Sequence, residues 1–190
     1  AAAVEVTTVH SVAGSYRPSS GLIRRPPYEA PHHTASKAAI IGGGSRILQP
    51  GSVVRAHRGV LFLDEAGEFP RSVLDTLRQP GEEGHVVLAR ASQTATFPCR
   101  VQLVLAANPC PCGWASGKGL RCRCSPKALR AYASKLSGPL LDRVEIPVDV
   151  AAAGGQPQPL PGGEPLALEP ALLDDYMERH HVAGLMVLHD

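Results

Sequence analysis

Residues 59–69 read Gly-Val-Leu-Phe-Leu-Asp-Glu-Ala-Gly-Glu-Phe, and the fold class turns on this stretch. Val60 to Leu63 is a continuous apolar run that ends abruptly in Asp64-Glu65. Such a run reads as a strand buried on both faces, the kind found in parallel sheets. Two adjacent carboxylates at the tip of a buried strand are costly unless a cation meets them. In open parallel sheets that tip is also where ligands bind. Asp64 is therefore a candidate to help hold a hydrated Mg²⁺, and Glu65 to polarise a water attacking a γ-phosphate. The competing reading is an ordinary strand-to-loop junction with solvated acids.

Working outward toward the C-terminus, Pro70 suits the first turn of a helix, Val73, Leu74 and Leu77 follow at helical spacing, and a stop is expected near Pro80-Gly81. Val86-Val87-Leu88 and Thr94 to Phe97, separated by a short polar stretch, read as a β-hairpin. Val101 to Leu105 forms a second buried strand ending in Ala106-Ala107-Asn108. A Cys/Gly/Arg loop covers 109–125. Ser125-Pro126 then starts a helix, with Ser at the N-cap and Pro at the first helical position. Leu129, Tyr132 and Leu136 share one face of it, and Gly138-Pro139 is expected to end it. Leu140-Leu141-Asp142-Arg143 makes a turn, and Val144 to Val150 alternates as an edge-like strand.

On the N-terminal side, residues 1–14 form a short helix or strand ending at Gly14. Residues 15–57, with five prolines and a triple glycine at 42–44, read as irregular apart from a turn or two of helix between Thr34 and Ile41, capped by Thr34. The expected organisation is a core over 1–150, a flexible linker over 151–165 (Ala-Ala-Ala-Gly-Gly-Gln-Pro and onward) and a helical tail over 166–190, bent near Gly184.

The 190 residues suffice for one domain with a real core. Hydrophobic residues are 44% and charged residues 19%, which excludes a disordered acidic tail and a coiled coil. Aromatics are only 4%, so the core must come from Leu, Val, Ile and Ala. The 19 glycines and 18 prolines exceed the usual combined share of about 12% and predict many loops. A net charge of +2 is too mild to imply nucleic acid by itself. No apolar run approaches the ~18 residues that a membrane helix needs, and the Ala-rich start lacks the basic lead of a secretory signal, so a cytoplasmic location is expected. The chain begins with Ala1 rather than Met, which suggests a natural start further upstream.

Two further polar residues join the acids by position. Asn108, at the tip of an adjacent strand, could hydrogen-bond the same water or phosphate, or be a turn Asn before Pro109. Arg143 could reach a neighbouring subunit's nucleotide as an arginine finger, or pair with Asp142 or Glu145 at the surface. Four cysteines fall as Cys110-x-Cys112 and Cys122-x-Cys124, paired on a Gly-rich loop, and could complete a tetrahedral Zn²⁺ site. Two disulfides or four free thiols are the rival readings, and a reducing cytosol argues against the first. Cys99, between Pro98 and Arg100, reads as a buried small side chain. His32 and His33, side by side, point in different directions and make a poor metal pair, so they are read as structural or pore-loop residues. Arg24, Arg25, Lys37, Arg46, Arg55, Arg58 and Arg90 are candidates for DNA-backbone contacts, with solvated surface as the default.

Long words in the chain carry a family resemblance: Arg-Arg-Pro-Pro-Tyr-Glu-Ala-Pro-His-His-Thr-Ala-Ser from 24, the 59–69 stretch, Leu-Asp-Thr-Leu-Arg-Gln-Pro at 74–80, Leu-Val-Leu-Ala-Ala-Asn-Pro-Cys-Pro-Cys-Gly at 103–113, and Leu-Ser-Gly-Pro-Leu-Leu-Asp-Arg-Val-Glu-Ile at 136–146. Over 24–150 the chain resembles the magnesium-chelatase-like AAA+ ATPases of the YifB/ComM family. The resemblance implies an α/β fold: a partial AAA+, P-loop-type parallel sheet with a β-hairpin insertion and a Cys-rich loop. It implies that Asp64 and Glu65 are the Walker B pair, Asn108 is sensor 1 and Arg143 is the arginine-finger candidate. It implies ATP and Mg²⁺ as cofactors, a homo-oligomeric ring (a hexamer) and ATP-driven remodelling, with DNA branch migration in competence or recombination as the expected task.

An AAA+ ATPase also needs the phosphate-cradling G-x-x-x-x-G-K-[ST] loop, and these 190 residues contain no such word. Gly117-Lys118-Gly119 has the wrong upstream spacing and a Gly where a Mg²⁺-ligating hydroxyl should stand. The chain is therefore expected to be a fragment that is inactive alone. Two alternatives stand beside this reading: a non-enzymatic, Zn-stabilised nucleic-acid or subunit-interaction module, and the ATPase subunit of magnesium chelatase itself.

Overall fold

The computed structural model describes residues 1–44, 47–90, 93–115, 121–136, 146–149 and 184–187. The linker over 151–165 and the turn carrying Arg143 lie outside the described residues.

Helix α1 (Ala2–Val12) turns Val6 and Val9 inward. Strand β1 (Tyr28–Glu29) leads to α2 (Lys37–Ile41), and a small antiparallel pair, β2 (Gly42–Gly43) with β3 (Gln49–Pro50), precedes α3 (Ser52–Arg55). Strand β4 (Val60–Leu63) is followed by α4 (Arg71–Leu74), a 3-10 turn and α5 (Arg78–Glu83). The hairpin β5 (His85–Arg90) and β6 (Gln93–Pro98) comes next, then β7 (Gln102–Leu105), α6 (Pro126–Ala133), β8 (Ile146–Asp149) and β9 (Gly184–Val187).

β1, β4 and β7 form a parallel sheet with β4 in the middle: Tyr28 lies opposite Val60, and Leu63 opposite Leu105. β9 and β8 extend it in parallel, giving the order β1-β4-β7-β9-β8. The hairpin is a separate antiparallel ladder running from His85–Pro98 to Arg90–Gln93. The two parallel strands and the hairpin expected from the apolar runs are therefore present, but β7 is half-buried except at fully buried Leu105, not the buried strand expected.

The core forms where Leu61 and Leu63 meet Ile40, Val54, Phe69 and Leu105, all 0% exposed. Burying each such side chain fully contributes about 1.5–3 kcal/mol.

Five local expectations are corrected. β4 is not buried on both faces: Leu61 and Leu63 face the core, whereas Val60 and Phe62 are half-buried and Phe62 stacks on exposed Tyr28. The reason is that α1, α2, α3 and α4 supply apolar side chains to the cluster around Leu61 and Leu63. The N-cap of α2 is Ser36, whose Oγ accepts from the Ala39 N–H at 3.2 Å; the Thr34 hydroxyl is instead held by His32 Nδ1 at 2.9 Å. The helical stretch after Pro70 runs on to Gly84, which closes α5 with φ +66°. Pro80 does not stop it because the 3-10 turn restarts the helix at Arg78, so Pro80 falls in a first turn, where no amide donor is needed. The helix from Ser125 ends at Ala133, five residues before Gly138, with the Ser134 N–H closing on Arg130 O. Finally, Gly184–Val187 is not helical. A short apolar run fits either conformation by periodicity, and here its backbone pairs with strands on both sides.

Candidate functional site

The C-terminal ends of β1, β4 and β7 lie at one edge of the sheet, and each sends polar residues there. Two cross-strand bonds pin the chain beyond β4: the Ala106 N–H donates to Leu63 O at 2.9 Å, and the Ala66 N–H donates to Ala106 O at 2.7 Å. Between them sit the two acids. Asp64 Oδ1 accepts the N–H of Glu65 at 2.9 Å, a local turn that steadies Glu65 at φ +51°. A non-glycine residue in this left-handed region carries about 1–3 kcal/mol of strain and persists only where its surroundings dictate it. Those surroundings are buried Ala66, Gly67 and Phe69, while Asp64 and Glu65 stay exposed. One carboxylate oxygen of Asp64 thus remains uncommitted for a hydrated divalent cation, an arrangement that fits Mg²⁺.

Glu65 has a partner. Its Oε2 lies 2.8 Å from His33 Nδ1. A carboxylate only accepts, so Nδ1 carries the proton. The His33 ring meets Phe69 edge-on at 6.4 Å, and the His32 ring lies only 4.0 Å from it. The two histidines therefore do not point apart; their rings overlap beside the acid pair. A structural or pore-loop role for His33 does not anticipate this contact, because its only signal is a doublet in a proline-rich stretch.

Asn108 lies three residues beyond β7, exposed, at the same edge as Asp64 and Glu65. Among the basic candidates, Arg55 is a structural clamp: its Nε and one terminal nitrogen hold both oxygens of Glu29 at 3.0 and 2.8 Å. Arg58 pairs with Glu5 at 3.1 Å. Arg24, Arg25 and Lys37 are exposed. Arg46 and the Arg90 side chain lie outside what is described.

Two residues past Asn108 the cysteine loop begins. The sulfurs of Cys110, Cys112, Cys122 and Cys124 all lie within 4.8 Å of one another. Cys110–Cys112 is 3.3 Å, and Cys110–Cys122 and Cys112–Cys122 are both 3.8 Å. A disulfide requires about 2.05 Å, and all five cysteines are free thiols. A tetrahedral Zn²⁺ with Zn–S near 2.3 Å sets its sulfurs about 3.8 Å apart. Backbone N–H groups of Trp114 and Arg123 pull the Cys112 thiol down to about 6, whereas hydrogen bonding to Cys112 and burial push Cys124 up to about 12. The Arg121 guanidinium stacks 3.5 Å from the centre of the Trp114 ring and brings positive charge beside the sulfurs. Cys99 is elsewhere, buried, with burial raising its thiol to about 12.

The loop delivers α6 to the acid site. Ser125 caps it, its Oγ accepting from the Ala128 N–H at 3.2 Å, and Tyr132 is buried. The Tyr132 ring lies directly over Gly67: a Cβ there would sit 2.2 Å from Cζ. Burial, with help from Glu68, pushes the Tyr132 hydroxyl up to about 12.

A parallel sheet with an acid couple just beyond β4, an Asn beyond the neighbouring β7 and a paired-cysteine loop after it agrees with the comparisons. The family description "Magnesium chelatase, subunit ChlI" matches residues 1–158. The chain belongs to this family. The uncharacterized protein Rv2897c of Mycobacterium tuberculosis is 54% identical over 147 residues, covering 77% of this chain and 29% of that protein. Competence protein ComM of Haemophilus influenzae is 48% identical over 124 residues, 65% of this chain and 24% of that one. The uncharacterized protein YifB of Escherichia coli is 45% identical over 139 residues, 73% and 26% of the two chains. The resemblance to YifB and ComM read from the sequence words is thereby borne out. The chain spans about a quarter of the length of these relatives. No helix among the described residues is long and apolar enough to cross a membrane.

Proposed function

We propose that this chain carries the water-activating half of an ATP-hydrolysing ring ATPase of the YifB/ComM type. The observation that supports this most is the arrival of Asp64-Glu65 and Asn108 at one sheet edge from adjacent parallel strands. In this reading Asp64 helps hold the Mg²⁺ that accompanies ATP, which when bound neutralises phosphate charge. Glu65 accepts the proton of the attacking water, and Asn108 orients that water or the γ-phosphate. Arg143 reaches the nucleotide of the neighbouring subunit in a homo-oligomeric, hexameric ring. The phosphate-cradling loop comes from elsewhere in the intact protein. Hydrolysis is coupled to remodelling, with DNA branch migration as the task, in keeping with the name of the competence relative. The fit of the four sulfurs to a tetrahedron supports a structural Zn²⁺ on Cys110, Cys112, Cys122 and Cys124.

The test is ATP turnover by the full-length protein containing this segment. Glu65→Gln should abolish turnover while retaining ATP binding, and Asn108→Ala should lower it on the order of a hundredfold. The 190-residue chain alone should not turn over ATP. Steady turnover by the chain alone that disappears in Glu65→Gln would refute the division of labour proposed here.

A further inference from the structure

We propose that His33 is a positioning residue for Glu65: its Nδ1–H holds Oε2 of the carboxylate and aims the other oxygen, Oε1, at the attacking water. This rests on the ATPase reading above and deepens it by adding a residue that neither the acid couple nor Asn108 supplies.

Glu65 is half-exposed and rotates about three side-chain bonds, so unaided it samples many directions. A general base must instead stand within hydrogen-bond reach of the proton it takes. The 2.8 Å bond from His33 removes that freedom. His33 is itself fixed, by the edge of fully buried Phe69 and by the His32 ring. Phe69 lies four residues beyond Glu65, so the ring that His33 meets edge-on belongs to the same pinned loop as its acceptor. His33 arrives on the chain leaving β1, the strand beside β4. Three neighbouring parallel strands therefore bring His33, Asp64-Glu65 and Asn108 to one edge.

The bond also divides the work of the two carboxylate oxygens. Oε2 is occupied by a donor, which leaves Oε1 to accept a proton. In hydrolysis the water oxygen bonds to the γ-phosphorus, its proton passes to Oε1, and the bond from the γ-phosphorus to the ADP oxygen breaks. His33 transfers no proton in this step. It keeps the carboxylate facing the water.

The experiment compares substitutions in the full-length protein. His33→Phe keeps a ring against Phe69 but removes the donor. Its kcat should fall on the order of tenfold to a hundredfold, with ATP binding and thermal stability near wild type. His33→Asn places an amide N–H where Nδ1 stands and should restore most of the lost kcat. His33→Gln carries its amide one bond too far and should not. The inference is overturned if His33→Phe turns over ATP like wild type, or if Asn and Gln behave alike. It is equally overturned if the losses follow ATP affinity or melting temperature instead of kcat. Absence of any Glu65-dependent turnover in the wild-type protein overturns the ATPase reading itself; Glu65-dependent turnover indifferent to His33 overturns only the inference.

Discussion

The acid loop at 64–69 and the cysteine loop at 109–125 leave adjacent strands at the same end of the sheet, yet they are held by different means. The acid loop is anchored by the core: Ala66 and Phe69 are fully buried, and two backbone bonds tie it to β7. Within the loop only Asp64 bonds the backbone, and the exposed carboxylates of Asp64 and Glu65 each keep one oxygen to face a ligand. Among the described residues of the cysteine loop, only Cys110 is buried, and Trp114 is 43% exposed. What gathers this loop is the cluster of four sulfurs. A loop with an apolar anchor can present reactive groups, whereas a loop without one spends its reactive groups on holding itself together. The two meet where Tyr132 covers Gly67 and Lys135 approaches Glu68 at 4.0 Å.

The contrast is broken most severely by removing the metal proposed for the cysteine loop. The purified chain should carry one Zn²⁺ by native mass measurement. Structural zinc sites in small domains contribute about 10 kcal/mol or more of folding free energy. Chelation should therefore abolish amide-exchange protection over 126–133 while 60–63 and 102–105 keep theirs. Absence of bound metal together with four readily alkylated thiols would show that no ion gathers the sulfurs, and the contrast would lose its basis.

A smaller effect should come from the seam. Gly67→Ala places a Cβ 2.2 Å from Tyr132 Cζ and 2.3 Å from its oxygen, so the ring or the loop must move. Overpacking of this kind costs about 1–3 kcal/mol. Chemical denaturation should show the loss, and exchange should increase in both loops if the seam joins them. An increase in one loop only would show that they are independent.

The mildest test is alkaline pH. The Tyr132 hydroxyl is raised from 10 to about 12 in the folded protein. The unfolded chain therefore ionises first, and the stability contributed by this group is fully present below about pH 10 and lost as pH rises toward 12. Tyr132→Phe should flatten the alkaline limb of a stability–pH curve relative to wild type. Parallel curves for the two proteins would place the hydroxyl outside the seam.

Much of this architecture was legible in the chain. Val60–Leu63 and Leu103–Leu105 read as strands because short unbroken apolar runs bounded by polar residues have few other uses. Ser125-Pro126 starts a helix because a hydroxyl acceptor and a ring lacking an N–H suit the first turn. Elsewhere local rules competed and tertiary contacts chose. Thr34 and Ser36 are both good caps, and His32 claimed the first. Pro80 stops a helix unless a preceding turn resets the count, as the 3-10 turn at Asp75–Leu77 does. Gly184–Val187 departs from the helical tail expected over 166–190, because four residues carry no period and pairing partners far away in sequence decide their state.

The order of residues alone determined the family, the two carboxylates and Asn as strand-tip groups, and the pairing of the cysteines, since each depends on neighbours in the chain. Only the folded molecule decided that His33 reaches Glu65 and that Tyr132 seats on Gly67. These pairs are 32 and 65 positions apart, and contact across such spans is made by the packing of the sheet and its helices, for which a local pattern of residues carries no mark.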